Sequence, residues 1–323
     1  MPKGGFPQPA PPKEVTITAI PGVIAAGATW KKAWQGEATA DGITGTKDGG
    51  LLMAQEQTNQ INKIDKDDKP SVFLNTPHGP GSVAFDAKGN VFAVERSCTD
   101  PGKPGPCNEP TGIAQLTPTR KVIANSVGKM GDGKSMGRLN DFAMARSGHI
   151  YITSNGGPAP AFHLSPAGEV TPFGENLRSN GIVLSADEKT LYITNGSTIA
   201  AFDVQPDGSV KNQREFGKLE GMSNGDGMAV DAEGRIYVTS NVAGNWGIQV
   251  LDKTGKYLGT IPTPRSPITV AFSGKDKKTL YVGAMGLTQA DGKEFLTAPN
   301  VRNVAMTVYK VPVQTPGFKG RLK

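Results

Sequence analysis

Short segments in which apolar and polar residues alternate follow one another along the chain, separated by turns rich in Gly, Asp and Lys. The stretch from Met228 to Thr239 shows the form: Met-Ala-Val, then the turn Asp-Ala-Glu-Gly-Arg, then Ile-Tyr-Val-Thr. Alternation with a period of two, carried by β-branched and aromatic residues, is typical of β-strands, so each segment predicts a hairpin. Such hairpins occur at residues 43–54, 83–94, 142–153, 181–194, 228–239 and 268–282.

The spacing of the hairpins predicts the architecture. Most successive turns lie roughly forty to forty-five residues apart, which is the length of a four-stranded propeller blade. We therefore predict an all-β fold, a six-bladed β-propeller with four-stranded blades, over residues 15–315. A strand from Val15 to Ile20 is expected to complete the last blade, between a disordered Pro-rich N-terminal arm at 1–14 and a C-terminal tail at 316–323.

Composition agrees with many tight turns and excludes several classes of partner. The 323 residues include 42 Gly and 25 Pro, and only 20% are charged. No apolar stretch is long enough to span a membrane. The net charge of +6 is scattered and aromatic residues make up 7%, so we expect no nucleic-acid partner. The expected partner is a small-molecule substrate, and the expected state is a monomer or a weak homodimer.

The two cysteines, Cys98 and Cys107, enclose a loop rich in Pro and Gly. A loop of this length can close a disulfide, which would stiffen an insertion between the second and third blades. Structural disulfides form in oxidising compartments. The first residues contain no apolar signal core, which is the pattern expected of a mature N-terminus. We expect a periplasmic or secreted protein. The alternative is two free thiols in a surface loop.

Four acidic or amide residues occupy one register in four hairpins. Each opens an apolar strand at a similar distance before the turn; they are Asp41, Asn140, Asn180 and Asp226. Equivalent positions of repeated blades form a ring, so these side chains are expected to converge at one end of the molecule. Two carboxylates and two carboxamides are hard oxygen donors that suit a cation such as calcium. The alternative is that Asn-Gly and Asp-Gly are simply turn residues.

Three segments resemble signature segments of the regucalcin/gluconolactonase family, namely residues 138–141, 179–187 and 226–234. They occur in order at blade spacing, and the resemblance extends over about residues 40–313. It implies a six-bladed propeller with a divalent cation, usually calcium, at the mouth of the central channel. It also implies that Asn180 and Asp226 are direct ligands. Asn140 would be a ligand or would hold water and substrate, and Arg138 would contact substrate.

Two positions depart from the family pattern. Asp41 stands where the family has the Glu of Glu-Gly-Pro. Its shorter side chain would bind the cation through water, or Glu37 would substitute for it. Leu139 replaces the Pro of Arg-Pro-Asn-Asp, which should leave Asn140 usable.

The function implied by the resemblance is a metal-dependent hydrolase of the lactonase or esterase type, with a sugar lactone as the expected substrate. Calcium is the expected metal, with Zn²⁺, Mg²⁺ or Mn²⁺ as alternatives. Asp226, Asn140 and Arg138 would be the catalytic residues: Asp226 or the metal activates water, and the other two orient the substrate. The alternatives are an organophosphate or aryl-ester hydrolase on the same metal site, and a non-catalytic, metal-stabilised binding propeller.

Three further motifs need separate interpretation. His78, in Pro-His-Gly-Pro before the second blade, is a candidate substrate contact or an ordinary turn residue. Residues 128–135 fit the phosphate-binding pattern G-x-x-x-x-G-K-[ST], but that loop requires a following helix, and here a strand is predicted. Residues 133–137 fit G-x-S-x-G, again without the strand–turn–helix context of a nucleophilic serine.

Overall fold

Six four-stranded antiparallel sheets form the structure, which is a computed structural model that describes residues 6–96, 111–155, 157–242 and 245–319. The sheets follow one another along the chain as blades one to six. Between neighbouring blades, each first strand contacts the first strand of the next, and the contact of β22 with β2 completes the ring. The predicted six-bladed propeller is confirmed.

The strand bounds, blade by blade, are as follows. Blades one and two contain β2 Ile43–Gly45, β3 Leu51–Gln55, β4 Gln60–Ile64, β5 Pro70–Asn75, β6 Pro80–Phe85, β7 Val91–Glu95, β8 Gly112–Gln115 and β9 Lys121–Ala124. Blades three and four contain β10 Arg138–Met144, β11 Ile150–Asn155, β12 Ala161–Leu164, β13 Val170–Phe173, β14 Ser179–Leu184, β15 Thr190–Asn195, β16 Thr198–Val204 and β17 Val210–Lys218. Blades five and six contain β18 Gly225–Val230, β19 Ile236–Val242, β20 Asn245–Leu251, β21 Tyr257–Pro262, β22 Pro267–Ser273, β23 Thr279–Met285, β24 Met306–Pro312 and β1 Lys31–Gly36.

The part of the chain that the structure describes contains almost no helix. Within it, one 3₁₀ turn, Glu220–Met222, precedes blade five. None of the described residues forms a helix with the length and apolar character of a membrane span. Strand β10 begins at Arg138, so the phosphate-loop-like residues 128–135 are followed by a strand, as predicted.

The ring is closed by β1, which pairs antiparallel with β24 as the outer strand of blade six. The prediction that Val15 to Ile20 would close it was wrong. Ile20 instead forms an isolated bridge with Ile24, and both side chains are buried in the apolar cluster between blades five and six. The alternation in this segment therefore serves packing against the blades and not pairing at a sheet edge.

The Pro-rich segment expected to be a disordered arm makes defined contacts from residue 6 onward. The amide of Gln8 donates to Thr297 Oγ1 at 3.0 Å, and Arg265 Nη1 donates to the carbonyl of Ala10 at 3.0 Å. The backbone amide of Lys13 donates to Pro264 O at 2.8 Å. This segment thus lies along the connection that leads into blade six and along the loop between β23 and β24.

The core lies between the faces of neighbouring blades. Phe92 of blade two packs with Phe142 and Ile152 of blade three in one buried cluster, and Tyr151 of blade three packs with Ile182 of blade four in the next. Burying each such side chain stabilises the fold by about 1.5–3 kcal/mol. Because every blade contributes to two clusters, the six sheets fix one another's positions.

Two histidines lie together in blade three. His149 Nδ1 and His163 Nε2 are 2.8 Å apart, and the ring of Tyr151 stacks on His163 with centroids 5.3 Å apart. Burial, with a further contribution from the neighbouring His149, lowers the pKa of His163 to about 4. The charged form of His163 is therefore disfavoured in the folded protein.

We expect His163 to destabilise the folded protein in acid. The unfolded chain binds the proton near pH 6.5 and the folded chain only near pH 4, so the free energy of unfolding falls across this window as the pH is lowered. The contribution is on the order of 3 kcal/mol, and His163→Gln should reduce the slope of melting temperature against pH between these values. An NMR titration of His163 with a midpoint near that of a free histidine would contradict this.

Candidate active site

The candidate ligands lie where the first strands of the blades begin, and bulges place them there. The pairing of β10 with β11 shifts register between Leu139 and Phe142, and that of β14 with β15 between Ser179 and Ile182. The pairing of β18 with β19 shifts between Gly225 and Met228. Residues inside a bulge leave the ladder, which re-aims their side chains. The residues freed in this way include Asn140, Asn180 and Asp226.

Glycines next to these residues allow the inner strands to approach one another closely. A Cβ on Gly181 would collide with the carbonyl of Asp226, and one on Gly227 would lie 2.9 Å from the carbonyl of Ile268. A Cβ on Gly42 would collide with Ser82 of the next blade. The Asp-Gly and Asn-Gly pairs are therefore not only turn residues, since the glycine permits the approach that brings neighbouring blades' polar side chains together.

The structure brings the four residues of the predicted ring together. Asp41, Asn140 and Asp226 line a common cavity with a volume of about 20 Å³, which is room for about one water molecule or one ion. Asn180 joins them through hydrogen bonds, because its Oδ1 accepts from Asn140 Nδ2 and its side chain is hydrogen-bonded to the Asp226 carboxylate. Of the two first-blade acids, Asp41 lines the cavity, whereas Glu37 is exposed between β1 and β2.

Asp141 is part of the same wall and ties three blades together. Its Oδ1 accepts from Ser82 Oγ of blade two at 2.6 Å and from the amide of Phe142 at 2.9 Å. Its Oδ2 accepts from the amide of Ile182 in blade four at 3.3 Å. Its carboxylate thus stabilises the ring, in the position that glycine occupies beside Asp41, Asn180 and Asp226.

A buried arginine completes the wall, and sequence reasoning missed it. Arg96, directly after β7, is 2% exposed. Its Nη2 lies 3.2 Å from Asp41 Oδ2 and donates to the carbonyl of Asn140 at 2.9 Å, while Nη1 lies 3.7 Å from Glu56 Oε2. The available signal was the pair Glu95-Arg96, since two charges ending the apolar run of β7 are buried only when they have partners.

The electrostatics of the site favour a cation. Burial raises the pKa of Asp226 well above its usual value, and the carboxylates of Asp41 and Asp141 raise it further, against the opposing influence of Arg96 and the hydrogen bond from Asn180. Asp41 and Glu56 in turn raise the pKa of Arg96 although burial alone would lower it. Three carboxylates and one guanidinium thus line the cavity, which retains net negative charge.

The donor set fits a hard divalent cation. Among the described residues, no three His, Cys, Asp or Glu side chains form a metal cluster on their own. The oxygen donors at this cavity are instead a mixture of the carboxylates of Asp41 and Asp226 and the carboxamides of Asn140 and Asn180. Mixed carboxylate and carboxamide oxygens are the ligands that calcium prefers.

The remaining candidates lie around this centre or outside the described residues. Arg138 is the first residue of β10 and is partly buried. His78 is partly buried before β6, where its carbonyl accepts from Thr76 Oγ1 at 2.7 Å. Neither lines the small cavity. Cys98 and Cys107 lie outside the described residues, so their pairing stays a prediction.

Comparison with known proteins gives a consistent assignment. The family model for the SMP-30/Gluconolactonase/LRE-like region matches residues 39–286. Similar proteins include a gluconolactonase of Zymomonas mobilis, 26% identical over 205 residues that are 53% of this chain and 54% of that protein. Human regucalcin is 31% identical over 146 residues, 41% of this chain and 48% of regucalcin. The chain therefore spans about half the length of these two relatives.

Solved structures show the same fold. A gluconolactonase from Xanthomonas campestris superposes with a TM-score of 0.67 at 20% identity, covering 97% of this chain and 99% of that one. A calcium-binding regucalcin from Agrobacterium tumefaciens superposes with a TM-score of 0.63 at 17% identity, covering 87% of this chain and 95% of that one.

The charge on Asp226 should destabilise the protein when no cation is bound. Its pKa is higher in the folded than in the unfolded chain, so the free energy of unfolding falls as the pH rises above the unfolded value. Asp226→Asn should therefore raise the melting temperature of chelator-treated protein at about pH 8, by an amount that shrinks toward pH 4. A variant less stable than the wild type at every pH in chelator would contradict this.

Proposed function

Because the chain belongs to the SMP-30/Gluconolactonase/LRE-like family, we propose that it is a lactone hydrolase whose reaction takes place at the mouth of the central channel. The observation that carries the proposal is the convergence of Asp41, Asn140, Asn180 and Asp226 on one small, negatively charged cavity. The name of one similar protein, gluconolactonase, supports a sugar lactone as the substrate.

Those four residues would hold the cation, and calcium is our proposal because every donor is a hard oxygen. When bound, it would supply a Lewis acid that polarises the lactone carbonyl. Zn²⁺, Mg²⁺ and Mn²⁺ are the alternatives to be compared. Asn140 Nδ2 donates a hydrogen bond to Asn180. The amide oxygen of Asn140 would then be the atom that binds the cation.

The protein's own groups would carry the proton transfers. The attacking water would lose its proton to the carboxylate of Asp226, acting as a general base. The water oxygen bonds to the carbonyl carbon, and the bond from that carbon to the ring oxygen breaks. The ring oxygen would take that proton from Asp226 and leave as a hydroxyl, giving a hydroxy acid and restoring the carboxylate. Arg138 would orient oxygens of the substrate at the entrance.

We expect lactone hydrolysis that depends on a divalent cation. Substitutions of the metal ligands and of the substrate-binding arginine should have different effects. Asp226→Ala should lose bound metal and activity together, because it removes a negatively charged ligand. Arg138→Ala should lower kcat/KM by about 10- to 100-fold with the metal retained, because a cationic side chain faces substrate and not the metal. Rates on a panel of sugar lactones, aryl esters and phosphotriesters, with metal analysis, measure both effects.

The matched control is Arg146→Ala, which removes an arginine between β10 and β11 that is paired with Glu188 of blade four. It should leave the kinetics unchanged. Full lactonase activity in chelated protein, or metal release by Arg138→Ala, would contradict the mechanism. Activity confined to phosphotriesters or aryl esters would assign the site to the alternative hydrolase class.

We also propose that Cys98 and Cys107 form a disulfide in an exported protein, as the loop composition suggests. Thiol titration of the unfolded, unreduced protein should then find no free thiol, and reduction should release two. Two thiols before reduction would contradict the disulfide and remove the argument for an oxidising compartment.

A further inference from the structure

The wall of the candidate metal site contains a permanent positive charge. Arg96 stays protonated in proteins, lines the cavity and is 2% exposed. The backbone leaves room for its side chain at Gly81, where a Cβ would collide with the guanidinium. A bulge at the start of β6, between Pro80 and Ser82, accompanies this glycine. The second blade therefore has Gly81 in the register where the first, third, fourth and fifth blades have oxygen donors, and the guanidinium of Arg96, from the end of β7, lies against that glycine.

Carboxylates on two sides hold this guanidinium. Asp41, toward the cavity, is 3.2 Å from Nη2, and Glu56, which does not line the cavity, is 3.7 Å from Nη1. Glu56 is also 2% exposed. A buried charge is tolerated when it is paired and hydrogen-bonded, so Glu56 offsets the cost of burying Arg96, and Arg96 in turn fixes the carboxylate of Asp41.

From this geometry we propose that Arg96 is a positioning residue that acts as the built-in counter-charge of the cation site. It holds Asp41 in place and offsets part of the repulsion among Asp41, Asp141 and Asp226 when no cation is bound. Because like charges repel, it also weakens the binding of a divalent cation beside it. Glu56, on the side of Arg96 away from the cavity, partly neutralises this positive charge and so strengthens the binding of the cation. The inference rests on the cation site of the proposed function.

The two roles predict effects of opposite sign. Arg96→Gln removes a positive charge next to the cation, so calcium should bind about tenfold more tightly, while the melting temperature in chelator should fall and be restored by calcium. Glu56→Gln leaves the charge of Arg96 less balanced, so calcium should bind several-fold more weakly. Arg96→Lys keeps the charge and should bind calcium with nearly wild-type affinity.

Isothermal titration of chelator-stripped protein with calcium chloride measures these affinities without reference to turnover. A merely structural role for the pair would weaken calcium binding in both Arg96→Gln and Glu56→Gln, and that result would overturn the proposal. If Arg96→Gln does not fold, the other two variants still test the proposal. Calcium binding by Glu56→Gln that is unchanged or tighter would contradict the proposal. Tenfold tighter calcium binding by Arg96→Lys would also contradict it. Wild-type protein that binds no calcium would instead refute the cation site itself, a result separable from any measured lactonase activity.

Discussion

The close approach of neighbouring inner strands is the constraint on which the rest of this structure depends. At the strand starts the backbones are so near that a Cβ on Gly42, Gly181 or Gly227 would meet the next blade. Bulges around Gly181 and Gly227 release the preceding residues, Asn180 and Asp226, from the sheet ladders. Short polar side chains on different blades thereby reach a common cavity, whereas in an ordinary sheet edge they would be spread along the surface.

This convergence concentrates negative charge, and the surrounding groups manage it in different ways. Asp141 is hydrogen-bonded to blades two, three and four, so its charge is distributed over fixed donors. Asp41 is paired with Arg96. Asp226 has a hydrogen bond from Asn180 but a raised pKa, which makes it the carboxylate with the most to gain from a cation. We therefore expect the site to be less stable empty than with a cation bound, as is common where function requires clustered charge.

Much of the fold followed from local pattern. Hairpins with period-two alternation, repeated at blade spacing, predict a propeller because each blade must bury the same faces against its neighbours. The shared register of Asp41, Asn140, Asn180 and Asp226 predicted their convergence for the same reason. The closing strand could not be predicted in this way. Val15 to Ile20 has the better alternation but packs between blades, whereas β1 pairs with the edge of β24. Arg96 and Glu56 were missed because their pairing joins residues from different blades, which leaves no periodic signal.

The central claim is that these converged oxygens bind a divalent cation, and a crystal structure of the protein soaked in calcium tests it most directly. The account predicts one ion at the channel mouth, with oxygens of Asp226, Asn180, Asn140 and Asp41 about 2.3–2.6 Å away, directly or through one water at Asp41. Arg96 should remain on Asp41 beside it. An empty channel mouth under saturating calcium, or an ion held elsewhere on the protein, would contradict the account.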